Sequence, residues 1–147
     1  MFLSLADRDK ASAVRIAKPL LNAGLHIAAT AGTADYLRSR DIAVSVVVRK
    51  LSDPLSNGDP SAVDLIENGT ITLVINTPRG SGAYSDGADI RRACTINKVP
   101  VHTTIAAALA TVTGIDDWAN KPFAVKSLQA HLGITISAPS NPNTKTA

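Results

Sequence analysis

Aromatic residues are scarce: two Phe, two Tyr and one Trp make up 3% of the 147 residues. That scarcity excludes the aromatic platforms on which single-strand nucleic-acid binders stack bases. It also leaves any core to Ala, Val, Ile and Leu. Cysteine occurs once, as Cys94, so neither an internal disulfide framework nor a multi-cysteine metal site is available. Beside Arg92 and Ala93 in a helical stretch, Cys94 reads as a buried, inert thiol rather than a nucleophile. No apolar run reaches the roughly 18 residues of a membrane span. The first residues lack a signal-peptide pattern, and a cytoplasmic location is the resulting expectation. A dominant charge is missing as well. Lys and Arg number 15 against 12 Asp and Glu, a net +3, scattered rather than gathered into the basic stripe of a nucleic-acid surface. No His, Asp and Glu spacing suggests a metal site.

What remains has globular proportions, with 45% hydrophobic and 18% charged residues. A chain of this size buries roughly 68–70% of its unfolded surface as one domain. Strand and helix patterns alternate along it. Phe2 to Ala6 reads as a strand. Asp7-Arg8-Asp9 supplies turn and N-cap chemistry for a helix from about Lys10 to Asn22, which Pro19 should kink or shorten and Gly24 stop. His26 to Ala29 is a strand and Thr33 to Arg40 a helix. Ala43 to Val48 is a β-branched strand, followed by a helix from Ser61 to Asn68 that Gly69 ends. The pattern continues with a strand at Ile71 to Ile75, a helix at Asp86 to Asn97, a strand at Val99 to His102 and a helix at Thr104 to Thr113. This alternation predicts an α/β fold: three α-β-α layers around an open, mostly parallel five-stranded sheet with helices on both faces. The near-continuous apolar strands agree, because such a sheet is covered on both sides. Arg49–Pro60 and Thr77–Ser85 read as long loops of the functional kind. Ile134 to Ala147, rich in Ser, Pro, Asn and Thr, reads as a disordered tail.

Ligands of open parallel sheets bind beyond the carboxyl ends of the strands, and here those ends carry hydroxyls, amides and cations. Ser4 and Lys10 follow the first strand, and Thr30-Ala31-Gly32-Thr33 the second. Arg49-Lys50 end the third, Asn76-Thr77 the fourth and Thr103-Thr104 the fifth. In the Thr30–Thr33 segment a glycine allows close backbone approach, the helix start offers free N–H groups, and two hydroxyls at i and i+3 add donors. Alone, this segment reads more simply as a helix cap and a tight turn. The parallel placement of Lys10, Lys50 and Asn76 turns the reading toward an anion site. Asp59 is a candidate carboxylate in a loop, although a turn or helix-capping role explains it as well. His26 and His131 lie among apolar residues and read as structural. His102, at a strand end on the ligand edge, is the better histidine candidate. Of Arg91 and Arg92, one should face solvent and the other can meet an acidic partner. Trp118 reads as a packing anchor in a loop.

The ordered set Leu3-Ser4…Asp9-Lys10, Ala29-Thr30-Ala31-Gly32-Thr33-Ala34, Arg49-Lys50, Asn68-Gly69, Ile75-Asn76-Thr77 and Ile90-Arg91-Arg92-Ala93 resembles the methylglyoxal-synthase-like superfamily. Within it, the set is most similar to the C-terminal allosteric domain of the carbamoyl-phosphate synthase large subunit, from about Phe2 to Leu132. The resemblance implies a regulatory domain, not itself catalytic, that binds a nucleotide effector of the UMP or IMP type and tunes synthesis for the pyrimidine and arginine pathways. It implies that Lys10, Thr30, Thr33 and Lys50 hold the effector phosphate and that Ser4, Asn76, Asp86 and Ile90 line its sugar and base. Thr103 and Thr104 would lie near an ornithine-responsive contact with the synthetase domains. Pro78 departs from the threonine that bacterial nucleotide-binding members often carry there. The parent enzyme would use ATP with Mg or Mn and a glutaminase small subunit, and the domain itself no cofactor. A homo-oligomer is possible in such a family. The chain holds no ATP-grasp segment, so it is expected to be a domain or fragment of a longer enzyme. Methylglyoxal synthase, a lyase acting on dihydroxyacetone phosphate, is the competing relative. Asp59 falls at its catalytic-base position, but Arg79 replaces its second aspartate and its N-terminal histidine is absent. The IMP cyclohydrolase domain is a weaker match, because its Lys-Thr-Leu-His-Pro type segment is missing.

Overall fold

Phe2 and Leu3 project to opposite faces of their strand, and this alternation divides the interior into two cores. The computed structural model describes residues 1–49, 59–79, 81–122 and 124–134. Strands β1 (Phe2–Leu5), β2 (Ala28–Thr30), β3 (Val46–Val48), β4 (Val74–Thr77) and β5 (Val101–His102) form one sheet in the order β3-β2-β1-β4-β5. Every pairing is parallel. Leu3, Ala29 and Ile75 face one core, shared with α1 (Ala13–Asn22), α2 (Ala31–Arg38) and α5 (Ile105–Asn120). Phe2, Ala28 and Val74 face the other, shared with α3 (Ala62–Glu67) and α4 (Ser81–Ile96). The result is the expected three-layer α-β-α architecture, with a short α6 (Leu128–His131) near the C-terminal end. Among the described residues no helix is long and apolar enough to cross a membrane. Cys94 is buried in the second core, where burial pushes its thiol pKa up and keeps it in the neutral, packing form.

The structure departs from the sequence reading at several boundaries, each with a physical reason. Asp7–Ser12 is a tight 3₁₀ segment rather than the cap and first turn of α1, and α1 begins at Ala13 behind Ser12 without a side-chain cap bond. It then runs through Pro19. Gly24 at φ +81° terminates it, with its N–H bonded to the Leu21 carbonyl and that of Leu25 to Leu20. Helix α3 is capped by Ser61, whose hydroxyl accepts from the Asp64 N–H while the Asp64 carboxylate accepts from the Ser61 N–H, so Asp59 is not the cap. Helix α4 starts at Ser81, inside the segment read as a loop. Ile90, Ala93 and Cys94 anchor it on the sheet, and extending an anchored helix is far easier than nucleating one. His26 and His131 are exposed, not apolar-packed. Arg92, the exposed member of its pair, also meets the acid, with Nη2 at 3.4 Å from Asp89. Lys50 and most of the 49–60 loop lie outside the described residues, as does the tail from 135 onward.

Helix α5 passes through Gly114 to Asn120, which makes Trp118 a helical residue 78% exposed to solvent rather than a loop anchor. A glycine within a helix costs about 0.5–1 kcal/mol relative to alanine, and the packed Ala108 and Val112 offset it. A Cβ at position 114 would meet nothing within 4 Å. Gly114→Ala is therefore expected to raise stability by about 0.4–1 kcal/mol, read as a higher urea midpoint with an unchanged m-value.

Candidate functional site

Strand order reverses between β1 and β4, where the crossover connections leave in opposite directions and open a crevice at the strand ends. Parallel register sets Ser4 beside Asn76 and Leu5 beside Thr77 at this point. A cavity of about 790 Å³ occupies it, and Ser4, Lys10, Thr30, Thr33, Asn76, Asp86 and Ile90 all line it. Seven residues far apart in sequence thus meet at one edge. Lys50 lies outside the described residues, and Thr103 and Thr104 line a separate, smaller cavity of about 220 Å³ with Arg8 and Arg79. His102 is turned to α5, its Nε2 at 2.8 Å from the Thr111 hydroxyl, and lines neither cavity.

One end of the large cavity suits an anion. Thr30 stands at the N-cap of α2 in extended conformation, yet its side chain makes no capping bond, so the first-turn amides receive no cap from it. Its hydroxyl instead donates to Thr33 Oγ1 at 3.2 Å, and Thr33 Oγ1 accepts the Leu5 N–H at 3.0 Å. Thr77 does the same for the next residue, accepting the Ala6 N–H at 3.1 Å. Two buried hydroxyls thereby hold the chain as it leaves β1 and aim the 3₁₀ segment across the α2 N-terminus. Lys10 lands there: a Cβ at Gly32 would lie 3.2 Å from Lys10 Nζ. Glycine at 32 makes room for the ammonium beside the helix dipole's positive end.

The other end is mostly apolar, floored by Phe2, Val48, Ala62 and Ile90. Asn76 is the buried polar group beside it. Its side chain is 3% exposed, lines the cavity, and makes no side-chain hydrogen bond among the described residues. A buried amide left without partners costs about 1–3 kcal/mol, so a polar ligand atom placed here would gain a hydrogen bond at little desolvation cost. Gly87 of α4 lets the helix pass close by, since a Cβ there would stand 3.5 Å from Asn76 Nδ2 and 3.1 Å from Arg91 Nη1.

Two further lining side chains were given no ligand role from the sequence, Asp7 having been read as turn and cap chemistry and Arg49 only as a strand-end cation. Arg49 lines the cavity wall, its Nε donating to the Asp59 carbonyl at 3.0 Å and its Nη2 lying 3.7 Å from Asp64. It ties the end of β3 to the start of α3. Ser61, through its backbone N–H first and its side chain second, holds the Asp64 carboxyl below its usual range. Asp7 also lines the cavity, with Oδ1 2.6 Å from Lys10 Nζ, and hydrogen bonding to that ammonium lowers its pKa. The Asp7–Lys10 spacing of three residues is visible in the sequence, but only the 3₁₀ turn brings the pair together.

Comparison with known proteins agrees with this architecture. A family model described as the MGS-like domain matches residues 12–103. The chain is 48% identical over 132 residues to the carbamoyl phosphate synthase large chain of Beutenbergia cavernae, covering 89% of this chain and 12% of that protein. Against the Synechocystis sp. large chain it is 41% identical over 133 residues, covering 90% of this chain and 12% of the relative. Against the separate C-terminal section of the Methanopyrus kandleri large chain it is 50% identical over 115 residues, 78% of this chain and 20% of that protein. The chain therefore spans about an eighth of the length of the full large chains it matches, 12% in both cases. With its parallel five-stranded sheet and its cavity at the β1/β4 reversal, this chain belongs to the MGS-like domain family.

Proposed function

We propose that this chain is the effector-binding regulatory domain of a carbamoyl phosphate synthase large chain, and that its ligand is a nucleoside monophosphate of the UMP or IMP type. The observation that carries the reading is the pairing, within one cavity, of a lysine ammonium at a helix start without a side-chain cap and the buried amide of Asn76, which makes no side-chain hydrogen bond among the described residues. The phosphate fits the Lys10, Gly32 and Thr30 end, where charge-assisted bonds are strongest. The base fits the apolar floor, and Ser4, Asn76 and Asp86 offer polar partners to the sugar and base edges. A cavity of about 790 Å³ falls within the usual range for small-ligand sites. Lys50, next in chain to Arg49, would add a second cation to the phosphate. A domain of this kind acts on synthesis only through a ligand that favours one conformation of the enzyme, with coupling of typically about 1–3 kcal/mol. The remaining large-chain domains and a glutaminase subunit are its natural partners.

A lyase reading has one observation in its favour: Asp59 lines the same cavity as Lys10, so a base and a phosphate-holding cation share a site. Phosphate elimination also needs an electrophilic or acidic partner, and Arg79 occupies the place of the second aspartate. Calorimetry with UMP, IMP, inorganic phosphate and dihydroxyacetone phosphate, joined to a phosphate-release assay, separates the two. The expected result is saturable UMP or IMP binding with no phosphate released from dihydroxyacetone phosphate. Release that disappears in Asp59→Asn would establish the lyase instead.

A further inference from the structure

Lys10 stands beside Gly32 at the α2 N-terminus, and it already has a partner. Its Nζ lies 2.6 Å from Asp7 Oδ1, an i to i+3 contact made by the 3₁₀ segment between β1 and α1. The two partners sit very differently. The Lys10 side chain is 20% exposed, hemmed in beside Gly32, whereas the Asp7 side chain is 94% exposed. The carboxylate can swing into water at little cost, while the ammonium stays where an anion would meet it. Asp9, the next carboxylate along, faces Arg8 at 3.4 Å and does not line the large cavity. Only Asp7 of these two carboxylates is placed to interfere.

We propose that Asp7 is a built-in competitor for the anion: its carboxylate neutralises Lys10 when no phosphate is present, and an incoming phosphate must displace it or bind beside a like charge. Asp7 thus sets the affinity of the site and discriminates by ligand charge, penalising anions and leaving uncharged ligands unaffected. The proposal rests on the phosphate-site reading of Lys10. It assigns to Asp7 the role opposite to that of a helper which orients the lysine.

Titration calorimetry of the full chain with inorganic phosphate at low ionic strength tests it, using wild type, Asp7→Asn, Asp7→Ala, Lys10→Ala and the Asp7→Asn/Lys10→Ala double variant. Both Asp7 variants are expected to bind phosphate about two- to fivefold more tightly, the range of an exposed ion pair. The gain should shrink in 0.5 M sodium chloride as screening takes over and vanish in the Lys10→Ala background. Unchanged or weaker binding in the Asp7 variants, with Lys10→Ala still impaired, overturns the competitor role and leaves the site standing. Phosphate binding indifferent to Lys10→Ala overturns the site itself, and the competitor with it.

Discussion

Replacing Lys10 by alanine is expected to weaken binding of inorganic phosphate, UMP or IMP by roughly 10- to 150-fold, the equivalent of about 1.5–3 kcal/mol for a charge-assisted hydrogen bond. The size follows from placement. The Lys10 side chain is 20% exposed, and its ammonium lies against the glycine of a helix start without a side-chain cap, where water screens it less than a surface lysine. Folding should hardly notice the change. The bond lost on folding is the Asp7 pair, whose carboxylate partner is 94% exposed, and such pairs contribute less than about 1 kcal/mol. Affinity and stability therefore separate in this variant. Lys18→Ala, which removes an exposed cation on α1, is the control for a general loss of positive charge and should bind as wild type does. Equal phosphate affinity in Lys10→Ala and wild type would remove the anion site. Added sulfate should compete with phosphate in wild type, since both engage the same donors.

Lys10 was legible in the sequence as a strand-end cation, and so were the other ends of the sheet, because parallel strands leave a two-sided apolar pattern that few other elements share. Phe2–Leu5 and Val46–Val48 fall within the stretches that pattern marks. Helix ends with a glycine in the left-handed region, Gly24 and Gly69, were legible for the same kind of local reason. What failed was set by partners distant in sequence. Ile71 to Leu73 has strand composition, but the hydrogen-bonded ladder begins at Val74, opposite Phe2, and so includes Asn76 and Thr77 within the strand. That shift turns Asn76 from a loop amide into a buried, register-fixed one. The start of α4 at Ser81 and the passage of α5 through Gly114 reflect tertiary anchoring that overrides local propensity. The Asp7–Lys10 contact was hidden because the segment reads as an ordinary helix start, whereas a 3₁₀ turn brings residues three apart directly over one another. Family resemblance identified most of the cavity-lining candidates and included Arg49 in its Arg49-Lys50 motif, but it assigned Arg49 no role and did not touch Asp7.

Thr33 shows how one side chain can serve both fold and site, and Thr33→Val is expected to cost about 1–3 kcal/mol of stability. The side chain is 1% exposed, and its Oγ1 accepts the buried Leu5 N–H at 3.0 Å and the Thr30 hydroxyl at 3.2 Å. Valine preserves the shape but not the acceptor, so the Leu5 N–H is left dry and unpaired at the point where β1 gives way to the 3₁₀ segment. For a domain of this size each kcal/mol lowers Tm by roughly 2–4 °C. The effect should reach the anion site, because the freed strand exit is what carries Lys10 to Gly32. Phosphate affinity is therefore expected to fall in Thr33→Val even if no ligand touches the hydroxyl. Thr33→Ser keeps the acceptor and gives up only a methyl group; it should restore most of the affinity and lose less stability than the valine variant. Thermal unfolding of the three proteins, paired with phosphate calorimetry, reads both quantities. A Thr33→Val protein as stable as wild type would mean that the Leu5 N–H finds another partner and that Thr33 does not hold the strand exit. Lost affinity in the serine variant alone, at full stability, would place the methyl group, rather than the hydroxyl, in the binding geometry.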